Sequence, residues 1–246
     1  PAAISRPDSH FQAHLAADNM AISIFGDITT DEASALAEQY LGQLAGRSSH
    51  VSEWQAARPS LPAQSETNGP FEQSILLIGY PGVDLADPRN DALNVLQRAL
   101  SGLSSDLAIE IREKRGLVYF VGALSMSGLQ PGLFGFYAGT TADKIPEVER
   151  LVAEQIERIV ADGIRPEELD RARSQLIAGN DMSLQNTGEL AQVCALNELY
   201  GLGYDYSFKL ADRLNALSGD DIRAAAASIF LKDRQATSRV VPATSP

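Results

Sequence analysis

The chain has 246 residues, 44% of them hydrophobic, which is enough for a real core and for one large domain or one domain with part of another. Its formal net charge of −12 and its isoelectric point of about 4.7 argue against nucleic acid and anionic membrane surfaces as partners, because like charges repel. The single cysteine, Cys194, excludes an internal disulfide and a cysteine-rich zinc site.

The length of the apolar runs bears on the compartment. No run approaches the roughly 20 residues that a membrane-spanning helix needs, so the sequence predicts a soluble protein without membrane insertion. The chain starts at Pro1 rather than at a methionine, which is consistent with a processed product or a fragment, and any targeting signal would lie upstream of these residues. The compartment therefore stays open between the bacterial periplasm and the cytoplasm.

The first predicted elements are a strand and a helix. Residues 19–29, NMAISIFGDIT, combine β-branched and aromatic side chains with a Gly-Asp turn, which is typical of a strand. Thr30 is the predicted cap of a helix with apolar residues at helical spacing. The composition of residues 47–70 shifts to Ser, Pro, Ala, Gln and Asn, which predicts a linker. We therefore expect residues 1–46 to be the tail of a preceding unit and residues 71–246 to be a second domain.

The second domain begins with a strand and two helices. Residues 71–82, FEQSILLIGYPG, predict a buried strand that ends at a Pro-Gly turn. Helices are predicted over 88–100 and over SSDLAIEIREKR, and Gly116 is well placed to end the second in a left-handed conformation. The segments LVYFVGALSM and GLFGFYAGT then predict the two strands of an antiparallel hairpin.

Helices predominate in the remainder of the chain. They are predicted at 145–162, from Pro166, at 187–200, at 204–217, and from a capping box formed by Ser218 and Asp221. A strand, ATSRVV, closes the chain. This order predicts an α+β fold, a two-layer arrangement in which an antiparallel-rich sheet packs on helices, since a parallel doubly wound sheet would need regular alternation.

No set of residues forms a self-sufficient active site. His10 and His14 stand four apart, but a zinc peptidase also needs a carboxylate, and Ala13 occupies the position before the second histidine. We therefore predict no metal site in this chain. No G-x-S-x-G elbow occurs, and Cys194 lies in an apolar helical stripe, which predicts a buried residue rather than a nucleophile.

The segment REKRGLVY, residues 112–119, leaves two interpretations open. Arg112 ends a predicted helix and Tyr119 begins a predicted strand, so both side chains can emerge at the same corner of the sheet. A planar guanidinium and a phenol suit the binding of a peptide carbonyl or carboxylate. The alternative is purely structural, with Arg112 neutralising helix carbonyls and Tyr119 packing at a strand end.

From this segment outward, the sequence resembles the second half of a pitrilysin/insulinase family metallopeptidase, an inverzincin. The resemblance is carried in order by NMAISIFGDIT, by the long block from ILLIGYPG to EIREKRGLVYFVGA, by PGLFGFYAGT, by GIRPEELDRARSQLIAG and by ELYGLGYDY. It covers nearly the whole chain. It implies a metallopeptidase-like, LuxS-like fold, with residues 1–46 as the end of a preceding homologous domain.

The resemblance also implies a function. In that family two homologous domains or subunits close around a peptide; one carries zinc on H-x-x-E-H, and the other contributes an arginine and a tyrosine that bind the substrate. Those roles map onto Arg112 and Tyr119. No H-x-x-E-H occurs in these 246 residues, so we expect a chain that is inactive alone and a zinc-bearing partner domain or subunit. The alternative is an inactive scaffold relative, similar to processing-peptidase or respiratory core subunits.

Overall fold

The computed structural model describes residues 14–44 and 59–243. These residues divide into two compact units. One contains residues 14–44 and 179–210, and the other contains residues 59–178 and 211–243.

The second unit contains a five-stranded mixed sheet. The strands are β1 (Ala63–Gly69), β2 (Ser74–Pro81), β3 (Phe120–Met126), β4 (Leu133–Thr140) and β5 (Ala236–Pro242). Their order in the sheet is β1-β5-β2-β4-β3, so β1 and β3 are the edges. Only the β1–β5 pair is parallel, and the other three pairs are antiparallel. The predicted hairpin is confirmed as β3 and β4, with Phe120 opposite Gly139 and Met126 opposite Leu133.

The helices of the described residues follow the predicted order. They are α1 (Thr30–Leu41), α2 (Asn90–Ala99), α3 (Asp106–Ala108), α4 (Ile145–Asp162), α5 (Pro166–Ser183), α6 (Thr187–Leu199), α7 (Leu210–Ala216) and α8 (Gly219–Ile229). Helix α3 continues directly as a π-helix over Ile109–Glu113. None of the helices in the described residues is long and apolar enough to cross a membrane.

The core lies between one face of the sheet and a layer of helices. Alternate residues of β2 and β4 are buried on that face, since side chains of a strand point alternately to its two sides. Helices α2, α4 and α8 contact one another or the sheet. The most buried strand residues are Leu76, Ile78, Tyr80, Phe134, Phe136 and Ala138. This two-layer arrangement confirms the predicted α+β class.

The helix ends follow the predicted capping chemistry. The Ser218 hydroxyl accepts from the Asp221 N–H, and the Asp221 carboxylate accepts from Ser218, so the predicted capping box is present. Pro166 is the first residue of α5, and Gly163 ends α4 with a φ of 76°, in the left-handed region that favours glycine. The predicted 204–217 helix is shorter, because residues Tyr206–Lys209 form a 3-10 turn before α7.

Part of the predicted linker is a strand. Residues 63–69, placed within the 47–70 linker, form β1 and pair in parallel with all seven residues of β5. Every residue of β1 except Gly69 is exposed, so the strand carries no apolar alternation that would have identified it. Its pairing with β5 comes from main-chain hydrogen bonds, which depend little on side-chain type.

The N-terminal elements differ from the prediction in two ways. Residues 20–25 form no strand within the described residues, and Ile22, Ile24 and Phe25 are 53%, 43% and 40% exposed. A strand requires a hydrogen-bonding neighbour, whatever its composition. Helix α1 is capped by Thr29 rather than Thr30, through a capping box with Glu32. Its predicted apolar face includes no buried residue.

Candidate substrate-binding site

The corner that holds Arg112 and Tyr119 begins with an irregular helix. The Lys114 N–H donates to the Ile109 carbonyl at 2.9 Å, five residues back, which widens the turn into a π-helix. Such turns are frequent at functional sites. The sequence carries no signal for this feature, since the 3.6-residue periodicity of the segment is that of an ordinary helix.

Gly116 ends this helix as predicted. Its φ is 60°, and its N–H donates to the Arg112 carbonyl at 2.9 Å. The Leu117 N–H then donates to the Ile111 carbonyl at 3.1 Å, so the chain folds back beside the turn that carries Arg112. Ile111 is fully buried and anchors that turn in the core.

Arg112 differs from its basic neighbours in how its charge is paired. The Arg112 side chain is 39% exposed, and within the described residues its ion pair is a loose one, from Nε to Glu113 Oε1 at 3.9 Å. The Lys114 and Arg115 side chains both donate to Glu110, at 3.0 Å. Within the described residues, the Arg112 guanidinium therefore donates no hydrogen bond, whereas Lys114 and Arg115 each donate to Glu110.

A charged network surrounds the neighbours of Arg112. Hydrogen bonds from Lys114 and then from Arg115 lower the pKa of Glu110 below its usual value. Arg115 also lies 3.9 Å from Glu147 at the start of α4. The four-residue spacing of Glu110 and Lys114 predicts their ion pair from the sequence. The contact of Arg115 with Glu147 depends on the fold, because the two residues are far apart in the sequence.

Tyr119 lies immediately before edge strand β3. Its side chain is 55% exposed, and its backbone N–H donates to the Gly139 carbonyl on β4 at 2.8 Å. The side chain is thus held at a fixed point of the sheet edge while the phenol reaches solvent. Both predicted site residues are at the surface, and neither is sealed in the core.

The other residues weighed in the sequence do not form a site. His10 and His50 lie outside the described residues, and His14 is the first described residue. Across residues 14–44 and 59–243, no group of three or more His, Cys, Asp or Glu side chains could hold a metal ion. Cys194 is 3% exposed, as predicted, and burial raises the pKa of its thiol.

Comparison with known proteins gives one family. The family model described as the peptidase M16 inactive domain matches residues 8–176. An uncharacterized zinc protease of Streptomyces coelicolor is 33% identical over 179 residues, 68% of this chain and 39% of that protein. An uncharacterized zinc protease of Bacillus subtilis is 26% identical over 219 residues, 88% of this chain and 52% of that protein.

The fold is similar to a solved structure of the same description. The crystal structure of a peptidase M16 inactive domain from Pseudomonas fluorescens has a TM-score of 0.77 at 23% identity, covering 89% of this chain and 53% of that chain. The present chain spans 39% of the length of the Streptomyces coelicolor relative and 52% of the length of the Bacillus subtilis relative.

Proposed function

The chain belongs to the peptidase M16 family as an inactive C-terminal domain, and we propose that it completes a peptide-binding chamber for a zinc-bearing partner. The M16 match confirms the predicted resemblance to pitrilysin/insulinase metallopeptidases. In the proposed role, Arg112 and Tyr119 hold the backbone of a peptide while the partner hydrolyses it.

The observation that carries this proposal is the unequal pairing of the three cations in REKR. Lys114 and Arg115 both donate to Glu110, whereas the pair that Arg112 makes within the described residues is the 3.9 Å contact with Glu113. A guanidinium with free N–H groups can donate to a carbonyl, or to both oxygens of a carboxylate in a planar, two-point arrangement. The exposed phenol of Tyr119 adds one further donor at the same corner.

The described residues, 14–44 and 59–243, do not fit a zinc centre. The sequence has no H-x-x-E-H, and the described residues contain no cluster of ligating side chains. Zinc, with the water it activates, belongs in our proposal to a homologous N-terminal domain or a separate catalytic subunit.

The domain boundaries are part of the same proposal. We propose that residues 1–46 are the end of a preceding homologous domain, with apolar residues that its sheet would cover. The exposure of Ile22, Ile24 and Phe25 supports this, because a group of large apolar side chains on a surface marks a site of contact with another protein segment. Since β1 belongs to the C-terminal sheet, the proposed linker ends before Ala63 rather than at residue 70.

The test uses this chain with its zinc-bearing partner, either as one polypeptide or as a complex. Replacing Arg112 by alanine removes a charge-assisted hydrogen bond of about 1.5 to 3 kcal/mol, so kcat/KM for peptide cleavage should fall roughly tenfold to a hundredfold. Adding Tyr119→Phe to Arg112→Ala should lower kcat/KM further. Circular dichroism should show intact folding, since both side chains are at the surface.

Arg115→Ala is the matched control. Arg115 lies three residues away with a similar exposure of 41%, but it is engaged by Glu110. The Arg115→Ala variant should keep kcat/KM for peptide cleavage within about twofold of the unmodified protein, since exposed ion pairs contribute only about 0 to 1 kcal/mol. Equal loss in the Arg112 and Arg115 variants, or unchanged cleavage by the double variant, would remove the proposed roles.

The scaffold alternative has its own outcome. If the partner also lacks H-x-x-E-H and the complete assembly cleaves no peptide, a structural role remains. The fold alone cannot separate the two functions, because function depends on the site.

A further inference from the structure

A second candidate site lies at the other end of the sheet, in a cavity of about 480 Å³. Its walls come from α4, from the start of β5 and from Phe230, which follows α8. The apolar part of the lining includes Ile156, Val160 and the Phe230 ring. Pockets that hold small molecules have this size and this mainly apolar character.

The floor of the cavity carries a chain of hydrogen bonds. The Tyr80 hydroxyl donates to Gln235 Oε1 at 2.8 Å, and Gln235 Nε2 donates to Thr237 Oγ1 at 3.0 Å. Tyr80 and Thr237 are each 3% exposed. Burial raises the pKa of the Tyr80 phenol to about 12, so it is a neutral donor at physiological pH.

This chain of hydrogen bonds is not saturated by the described residues. Gln235 retains one N–H hydrogen and one oxygen lone pair, and Thr237 retains its hydroxyl hydrogen. Thr237 is buried and Gln235 is half-buried, so a ligand that accepts from the Thr237 hydroxyl is stabilised by a hydrogen bond in an apolar setting. The complementary ligand therefore carries a hydroxyl or amide group on an apolar body.

The charges around the cavity favour a neutral ligand. Glu157 and Lys232 are the charged residues of the lining, and they pair with each other at 2.8 Å. Both side chains are largely exposed, at 60% and 85%, which places them at the mouth. A charged ligand would lose hydration in the interior without finding an unpaired opposite charge.

The cavity is separate from the Arg112 and Tyr119 corner. The Tyr119 backbone N–H donates to the carbonyl of Gly139, which lies opposite Ile75 at the start of β2. Tyr80 is five residues further along β2, which at about 3.3 Å per residue is roughly 17 Å away. The two proposals can therefore fail independently.

We propose that this cavity binds a small neutral molecule with an apolar, ring-sized body and one hydroxyl or amide group, held by Gln235 and Thr237. The probe for the test is 4-methylphenol, added to the full chain at millimolar concentrations. Binding should shift the NMR signals of the Ile156 and Thr237 methyl groups and leave those of Ile75 unchanged. It should also raise the melting temperature, since the probe binds the folded state.

Two related probes test the recognition chemistry. Toluene lacks the hydroxyl and should bind up to about tenfold more weakly, since one hydrogen bond contributes about 0.5 to 1.5 kcal/mol. The anion 4-methylbenzoate should not bind. Equal binding of toluene and 4-methylphenol would overturn the role of the polar floor, and tighter binding of the anion would overturn the preference for neutral ligands.

Two variants localise the binding. Thr237→Val keeps the shape of the side chain but removes the hydroxyl. It should weaken the binding of 4-methylphenol severalfold without changing the binding of toluene. Ala153→Phe adds a ring at an exposed position of the cavity wall and should abolish the binding of both probes. Undiminished binding in a folded Ala153→Phe variant, or no methyl shifts in the unmodified chain, would refute the proposal. Because Thr237→Val conserves volume, it remains informative if the larger substitution unfolds.

Discussion

Replacing Phe230 by alanine should destabilise the sheet-containing unit strongly. Phe230 is 7% exposed, and its ring centroid lies 5.1 Å from that of Tyr80, 5.2 Å from Phe134 and 5.6 Å from Phe136. Buried Phe→Ala substitutions cost about 3 to 5 kcal/mol, and each favourable aromatic pair contributes about 0.5 to 1.5 kcal/mol beyond its buried area. One side of the ring borders the cavity, where it has fewer contacts to lose. We therefore expect the lower part of that range, about 3 to 4 kcal/mol.

The assay is urea denaturation followed by far-ultraviolet circular dichroism. With a slope of about 2 to 3 kcal/mol per molar, the midpoint should fall by about 1 to 2 M. The matched control is Phe71→Ala, because Phe71 is 53% exposed and should cost less than about 1 kcal/mol. If the two variants lose the same stability, or if Phe230→Ala loses under about 1 kcal/mol, the ring does not pack as the structure describes.

Two further predictions concern carboxylates. Glu149 receives three hydrogen bonds from Arg239, which joins α4 to β5, so Glu149→Gln should cost about 1 to 3 kcal/mol of unfolding free energy in urea titrations. Glu154→Gln, at an exposed pair, is the control and should cost almost nothing; equal costs would contradict the expected role of burial. Hydrogen bonds from the Ser218 side chain and backbone lower the pKa of Asp221 below 3.8, so its stabilisation is complete above that value and is lost as pH falls through the lowered pKa. The difference in melting temperature between the unmodified chain and Asp221→Asn should therefore narrow between about pH 5 and pH 2, and a gap that widens would refute this assignment.

Local chemistry made much of the fold predictable. The strand at β2, the β3–β4 hairpin, the full extent of α4 and the Ser218–Asp221 capping box all depend on residues close together in the sequence. Periodicity, glycine and capping side chains act over one or two turns, so they can be identified without knowledge of the fold. The same holds for the left-handed glycine that separates Arg112 from Tyr119.

Elements that depend on a distant partner were predicted less well. β1 is polar and exposed, and it is a strand because β5, more than 160 residues later, offers it a free edge. Residues 20–25 have a strand-like composition but form no ladder in the described residues. In both cases main-chain hydrogen bonding decides the structure, and the sequence near the segment does not contain the partner.

The sequence by itself determined the residue types of the proposed peptide site, the lack of an H-x-x-E-H motif and the family resemblance that connects them. Only the tertiary structure decided that Lys114 and Arg115 pair with Glu110, while Arg112, among the residues described, has a looser contact with Glu113. The cavity around Gln235 also depends on the tertiary structure, because its lining comes from segments far apart in the chain. The reason is physical: side-chain chemistry is local, whereas the pairing of charges and the enclosure of space depend on which distant surfaces meet.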